Sequence, residues 1–130
     1  MRIDHEESVK YYRSDASIPC KCAYCKNYVL QIEKEYPRVC AYLRTMSIDA
    51  LRPFELFPPV EMKYGRLEYF ACQYIAFGSC ESPYTHKIDD VIFRETDFHP
   101  GTRLEGIEHF VIEFGPIFLE IREPSLMEQP

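Results

Sequence analysis

The sequence predicts an α+β fold in which two N-terminal helices pack on an antiparallel sheet of four to six strands. Apolar residues recur at helical spacing in the first third of the 130-residue chain, and the period changes to two from Phe54 onward. A chain of this length is one domain's worth and buries a core without metal or disulfides. We therefore expect one globular domain over 1–130, with a helical region at about 22–47, a β-rich region at about 54–122 and a frayed tail at 123–130.

The helical region contains two predicted helices. The first runs from about Ala23 to Tyr36, and its apolar positions are three or four residues apart: Cys22, Cys25, Val29, Ile32 and Tyr36. Pro37 fits the first turn of a second helix, which we expect to end before Pro53. Upstream, VKYYR at 9–13 is expected to form a first short strand.

The β-rich region contains four strand-like segments. They are FELF at 54–57, a long stretch at 66–78, VIFRET at 91–96 and the alternating HFVIEFGPIFLEI at 109–121. The stretch at 66–78 exceeds the usual strand length, so a bend or bulge is expected within it. In the last segment the apolar parity slips by one residue at Gly115–Pro116, for which we favour a β-bulge over a tight turn.

The predicted core combines the helix stripe with the inward-facing strand positions. Its members are Val29, Ile32, Leu43, Phe70, Ile75, Phe110, Ile112, Ile117 and Leu119.

Composition and charge exclude several classes of function. The chain has 21 acidic and 15 basic residues, a net charge of −6, which disfavours binding to nucleic acid. The N-terminal MRIDHEESVK lacks an apolar signal segment, and YFACQYIAFG is too short to cross a bilayer. A cytoplasmic location is therefore expected, where six cysteines are free thiols or metal ligands rather than disulfides.

Motifs of common enzyme classes are missing from the chain. It contains no G-x-S-x-G, H-E-x-x-H, G-x-x-x-x-G-K-[ST] or G-x-G-x-x-G. This absence favours a protein that is not an enzyme, and no catalytic residue is predicted.

The stretch CKCAYC places Cys20, Cys22 and Cys25 within six positions. Three interpretations are open. Cys22 and Cys25 continue the apolar stripe and pack as small buried side chains, with Cys20 near the surface, which we favour. Alternatively the three thiolates bind zinc, with Cys40 or a histidine as a fourth ligand. Least favoured is a C-x-x-C redox pair, because no βαβ pattern precedes it. We accordingly expect no cofactor, with zinc as the alternative.

Two other segments carry side chains that could do chemistry. Asp97 and His99 in DFHPG, with His109 further on, could bind a metal, although a polar strand end entering a turn explains them more simply. In IDALRP, Asp49 is expected to cap the backbone of a turn.

Three stretches together resemble a family of small uncharacterised bacterial proteins. They are CKCAYCKNY (20–28), SIDALRPFEL (47–56) and HFVIEFGPIFLEI (109–121). The family pattern is C-x-x-C-x-N followed by an aromatic residue, then G-I-D-x-x-K-P-x-E, then an aromatic-rich strand. Ser47 stands where this pattern has glycine, and Arg52 where it has lysine. The resemblance implies a bacterial, cytosolic protein and implies no activity.

The favoured function is a non-enzymatic cytosolic binding or protein-interaction domain. Four tyrosines flank the loop before the first predicted helix and could form a patch for a protein partner: Tyr11, Tyr12, Tyr24 and Tyr28. The chain has 19 aromatic residues in all, ten Tyr and nine Phe, which favours a two-fold homodimer. The alternatives are the zinc protein and, after it, the thiol redox enzyme.

Overall fold

The computed structural model describes residues 1–127 and confirms the predicted α+β class. Within these residues the helices are α1 (His5–Tyr12), α2 (Ala23–Glu35), α3 (Pro37–Thr45) and α4 (Pro124–Met127). The strands are β1 (Arg2–Ile3), β2 (Glu55–Leu56), β3 (Val60–Met62), β4 (Arg66–Tyr69), β5 (Cys72–Ser79), β6 (Thr85–Ile88), β7 (Val91–Thr96), β8 (His109–Gly115) and β9 (Ile117–Glu120).

Helix α1 occupies the segment in which a short strand was expected, so that prediction is wrong. The side chain of Asp4 caps the helix by accepting a hydrogen bond from the backbone N–H of Glu7 at 3.1 Å. Glu6 and Glu7 in the first turn and Lys10 in the last turn also complement the helix dipole. The cap and the favourable charges at both ends stabilise a helix here more than the weak alternation of VKYYR would stabilise a strand.

Helix α2 begins and ends within one residue of its predicted bounds, and α3 begins at Pro37 and ends at Thr45, before Pro53 as expected. Pro37 stands in the first turn of α3, as expected. The buried face of α2 is rotated from the predicted stripe: Cys22 is the exposed N-cap residue and Val29 is only half-buried. The buried positions of α2 are Cys25, Asn27, Tyr28, Gln31 and Ile32.

All strand pairs are antiparallel and form two sheets. The larger sheet has the order β1-β5-β8-β7-β6, and β2 also pairs with β5, at the end opposite β1. The smaller sheet has the order β3-β4-β9. The larger sheet has the predicted number of strands, whereas the pattern does not predict the second sheet.

The chain passes between the two sheets twice, from β4 to β5 and from β8 to β9, and these two crossings lie side by side. Cys72 pairs with Phe114 in the larger sheet, and Tyr69 pairs with Ile117 in the smaller one. Two residues lie between the two pairs in each of the paired segments, 70–71 in one and 115–116 in the other. The register is therefore retained, and the predicted bulge at Gly115–Pro116 is wrong. The bend expected within 66–78 lies at Phe70–Ala71, opposite Gly115. A Cβ on Gly115 would lie 2.0 Å from the carbonyl oxygen of Phe70, so only glycine fits this crossing.

The main core lies between the helices and the sheets. Six predicted core residues are buried: Ile32, Leu43, Ile75, Ile112, Ile117 and Leu119. Val29 and Phe110 are half-buried, and Phe70 is 53% exposed because it lies at the crossing between the sheets. Within the described residues, Ile75, Phe77 and Val111 form a second, smaller cluster apart from the main core.

The segment after α3 is a turn in which side chains satisfy the backbone. Asp49 accepts a hydrogen bond from the backbone N–H of Leu51 at 2.9 Å, which confirms the predicted role of Asp49. Arg52 reaches back to donate to Ser17 Oγ at 2.8 Å. Ser47 has a φ of 56°, in the left-handed region that glycine adopts without strain.

The C-terminal part of the described chain is more ordered than expected. Pro124–Met127 forms one helical turn within the predicted tail, and residues 128–130 lie outside the described residues. None of the helices in 1–127 combines the length and apolar character that a bilayer span requires.

Candidate metal centre

The three clustered cysteines converge at the start of α2. Their Sγ atoms all lie within 4.8 Å of one another. Cys22 is the N-cap residue, and its sulfur accepts a hydrogen bond from the backbone N–H of Cys25 at 3.5 Å. The chain folds back before the helix, so the N–H of Cys22 in turn donates to the sulfur of Cys20 at 3.4 Å. The backbone path itself therefore brings the thiols together.

The three thiols differ in exposure. Cys20 and Cys22 are exposed, whereas Cys25 is buried against the core. The prediction of a packed apolar side chain is thus confirmed for Cys25 and wrong for Cys22, because the N-cap position turns Cys22 away from the buried face of the helix. Cys20 lies at the surface, as predicted.

The pKa values of the Cys22 and Cys25 thiols are shifted in opposite directions. Burial is the largest influence on Cys22 and raises its pKa, but hydrogen bonds outweigh it. The donors are the backbone N–H of Cys25, the thiols of Cys25 and Cys20 and the backbone at Tyr24, and the net pKa of Cys22 is lowered. For Cys25, burial and the neighbouring thiols of Cys22 and Cys20 all raise the pKa well above its ordinary value. The exposed member of the pair is therefore the more acidic one.

Asn27 anchors the helix that carries the cluster. Its Nδ2 donates to the carbonyl oxygen of Glu120 at 2.9 Å, and its Oδ1 accepts from the backbone N–H groups of Arg122 and Glu123 at 2.7 and 2.9 Å. The side chain is fully buried. Sequence reasoning missed this role, although a polar residue on the buried side of a predicted helix was a usable signal.

A groove of about 400 Å³ opens beside the cluster. It runs between the loop before α2, one side of α2 and the start of α4. Its walls are mostly apolar and are lined by Ile18, Pro19, Val29, Leu30 and Pro124, together with Cys20, Lys21, Lys26 and Glu123.

The other cysteines lie outside the cluster. Cys40 is buried in the core on α3, and burial raises its pKa to about 11. Cys72 is also fully buried, and Cys80 lies near the surface at the far end of β5. Cys40, named from the sequence as a fourth ligand, therefore does not join the other three.

The histidines do not converge with the cysteines either. His109 is held by Thr102 Oγ1 and by the carbonyl oxygen of Ile107 at 2.7 and 2.6 Å. His99 contacts the carbonyl oxygen of Pro100. Over residues 1–127, the cysteine cluster is the one group of three or more His, Cys, Asp and Glu side chains close enough to share an ion. The metal site considered for Asp97, His99 and His109 is therefore not assembled.

The four tyrosines named as a binding patch are divided between core and surface. Tyr12 is buried and donates to the carbonyl oxygen of Ile75 at 2.6 Å, and Tyr28 is buried with its hydroxyl 2.6 Å from that of Tyr74. Tyr11 is half-buried and Tyr24 is exposed. The structure does not bring them together as one exposed patch.

Comparison of the chain with protein-family models, with curated proteins and with solved structures gives no match. The family resemblance of the sequence thus stays a prediction.

Proposed function

We propose that this protein binds one zinc ion through the thiolates of Cys20, Cys22 and Cys25. The observation that supports the proposal is the approach of all three sulfurs to within 4.8 Å of one another. Tetrahedral zinc with Zn–S bonds of about 2.3 Å holds its thiolates about 3.8 Å apart. Cys20 and Cys22 are exposed, so rotation of their side chains would bring the sulfurs to this spacing.

The ligand set favours a soft or borderline metal. It consists of thiols alone, which select zinc or copper(I) over magnesium or calcium. Lys21 and Lys26 line the same groove as Cys20 and would offset the charge of the thiolates. This convergence places the zinc alternative ahead of the interaction domain that the sequence favoured, because the tyrosines of that hypothesis are scattered.

The position of the cluster favours metal binding as a function in itself rather than as a condition for folding. The main core forms from residues of the helices and sheets, and only Cys25 of the three belongs to it. Three protein ligands also leave the fourth position of a tetrahedral ion free for water or another molecule, as in zinc sites that exchange a ligand.

A second candidate function is thiol–disulfide exchange. The difference between Cys22, exposed and acidic, and Cys25, buried and less acidic, favours it. Cys22 thiolate would attack a substrate disulfide and release one thiolate. Cys25 thiolate would then attack the mixed disulfide, form the Cys22–Cys25 bond and release the second thiolate, so that two electrons pass to the substrate.

The test measures metal content and thiol reactivity on the same purified protein. After incubation with zinc and removal of free ion, we expect about one zinc per chain by elemental analysis. The cluster thiols should react slowly with a thiol reagent and quickly once a chelator is added. In the redox alternative, Cys22 reacts quickly without a chelator, and a reduced pair is oxidised by a small disulfide.

Two variants make the test specific. Cys22→Ser removes a cluster ligand and should abolish stoichiometric zinc, whereas Cys80→Ser removes a thiol outside the cluster and should retain it. If wild type takes up no more zinc than Cys22→Ser, the proposal is wrong.

A further inference from the structure

We infer that the groove beside the cysteine cluster binds an aminothiol that carries an apolar group, such as the N-terminal cysteine of a peptide, and that its thiolate is the fourth ligand of the metal. This inference rests on the zinc site proposed above. It extends that site from a metal alone to a metal with a partner molecule.

The open coordination position and the groove share one residue. Cys20 belongs to the cluster and also lines the groove, so a molecule in the groove lies next to a metal held by the three sulfurs. No fourth His, Cys, Asp or Glu of residues 1–127 lies within the same radius as the three thiols. A thiolate is the ligand that best matches the three already present.

The charges around the groove fit a molecule with one thiolate and one ammonium group. Zinc with four thiolates has a charge of −2, and Lys21 and Lys26 together offset it; neither lysine is in an ion pair among residues 1–127. Glu123 lines the same groove, and its Oε2 is buried with no hydrogen-bond partner in the described part of the chain. Glu123 is also in no ion pair among residues 1–127, so its carboxylate is available to pair with an ammonium group once the side chain turns towards the groove.

The apolar walls of the groove are the reason to infer that the bound molecule carries an apolar group. Leu30 is 46% exposed and Ile18 is 50% exposed, and Val29 and Pro124 complete an apolar surface that nothing in residues 1–127 covers. A groove of about 400 Å³ has room for a side chain the size of leucine beside an aminothiol. Burial of these apolar faces would add affinity to the metal bond.

The experiment uses protein loaded with Co²⁺, whose thiolate charge-transfer absorbance grows with the number of bound thiolates. The probe is the dipeptide amide Cys-Leu, compared with N-acetyl-Cys-Leu amide and Cys-Ser amide. We expect Cys-Leu amide to raise the absorbance by about a third, as a fourth thiolate joins three. Acetylation, which removes the ammonium group, should weaken binding about tenfold. Replacement of leucine by serine should weaken it by a similar factor.

Variants of the groove residues test which residue recognises the amine and which recognises the leucine side chain. Glu123→Gln should remove the preference for the free amine, whereas Glu105→Gln, which does not line the groove, should keep it. Leu30→Ala should reduce the preference for leucine over serine. If the preference for the free amine persists in Glu123→Gln, the amine binds the metal itself and the role of Glu123 is wrong.

The outcomes separate the inference from the function on which it rests. No cobalt–thiolate band in the wild type means that the metal site itself is wrong. A three-thiolate band that does not respond to Cys-Leu amide overturns the inference and leaves the metal site standing. A four-thiolate band before any peptide is added also overturns it, since the chain then supplies its own fourth ligand.

Discussion

At the scale of single residues, the motif C-x-x-C-x-N followed by an aromatic residue combines two roles in the first two turns of α2. Cys22 and Cys25 face the cluster, whereas Asn27 and Tyr28 hold the helix to the rest of the protein. Tyr28 meets the hydroxyl of Tyr74, which also donates to the carbonyl oxygen of Ala50. The thiols therefore lie on a helix start that buried polar contacts fix in place.

Asn27→Ala tests this anchoring. The substitution leaves the N–H groups of Arg122 and Glu123 and the carbonyl of Glu120 without their partner, which should lower the free energy of unfolding by about 2–4 kcal/mol. Denaturant unfolding measures it. Gln31→Ala on the same helix removes a single hydrogen bond to Glu35 and should cost about 1 kcal/mol. Equal losses in the two variants would show that Asn27 is not a special anchor.

The site could be predicted from the sequence only in part. The spacing of Cys20, Cys22 and Cys25 was sufficient to name the three thiols. It did not show that Cys22 would be the N-cap, because one residue of shift in the helix start decides between an exposed cap and a buried stripe. The groove depends on Pro124 and Glu123, about 100 residues away in the sequence, and no local pattern contains that contact.

At the scale of helices and strands, the clearest correction concerns residues that periodicity assigned to the core. Phe70 follows the alternation of its strand, yet it lies at the crossing between two sheets and is 53% exposed. Ile32 and Ile112 occupy the middle of their elements and are fully buried. Periodicity predicts burial within a regular element and fails where the element changes direction.

Alanine substitutions distinguish these positions. Ile32→Ala and Ile112→Ala should each cost about 2–5 kcal/mol in the free energy of unfolding, because each leaves a cavity in the main core. Phe70→Ala should cost less than about 1 kcal/mol. Denaturant titration of the three variants measures all of these values. Losses near zero for both isoleucines, or a loss for Phe70 as large as theirs, would contradict this description of the core.

Regular, long elements were the easiest to predict. Helices α2 and α3 and strand β7 lie close to their expected bounds, because their patterns extend over six or more residues. Strands β3 and β6 are short and largely exposed, so no apolar alternation marks them. The two-sheet arrangement results from a crossing at which the strand register is retained. In the sequence, this crossing appears only as a slip of the apolar alternation at Gly115–Pro116, and a β-bulge would give the same slip.

At the scale of the whole molecule, large apolar side chains remain on the surface. Phe98 is 77% exposed, although Gln73 and Thr96 hold its backbone by hydrogen bonds at 2.8 and 3.1 Å. It borders a groove of about 510 Å³ that also contacts Phe57 and Leu56. An exposed aromatic side chain on a backbone that hydrogen bonds hold in place is a feature of interfaces.

The homodimer predicted from the aromatic content can be tested directly by measuring the molar mass in solution. Light scattering at tens of micromolar should give about twice the 15.4 kDa mass of the chain. Phe98→Ser should shift the protein towards the monomer, whereas Tyr64→Ser, at an exposed turn elsewhere, should not. A monomeric wild type would exclude self-association at this concentration.

The buried tyrosines make the protein sensitive to alkali in a way that is visible by absorbance. Burial is the first cause that raises the pKa of Tyr12, Tyr28, Tyr69 and Tyr74 above the ordinary value of about 10. Each therefore stabilises the folded protein below about pH 10, and this stability is lost as the pH rises towards the folded values. Because the chain has ten tyrosines and no tryptophan, tyrosinate absorbance should rise first from exposed rings and then in a cooperative step with loss of the helical circular dichroism signal. Ionisation of all ten in one step near pH 10, with the circular dichroism unchanged, would mean that these hydroxyls are open to water.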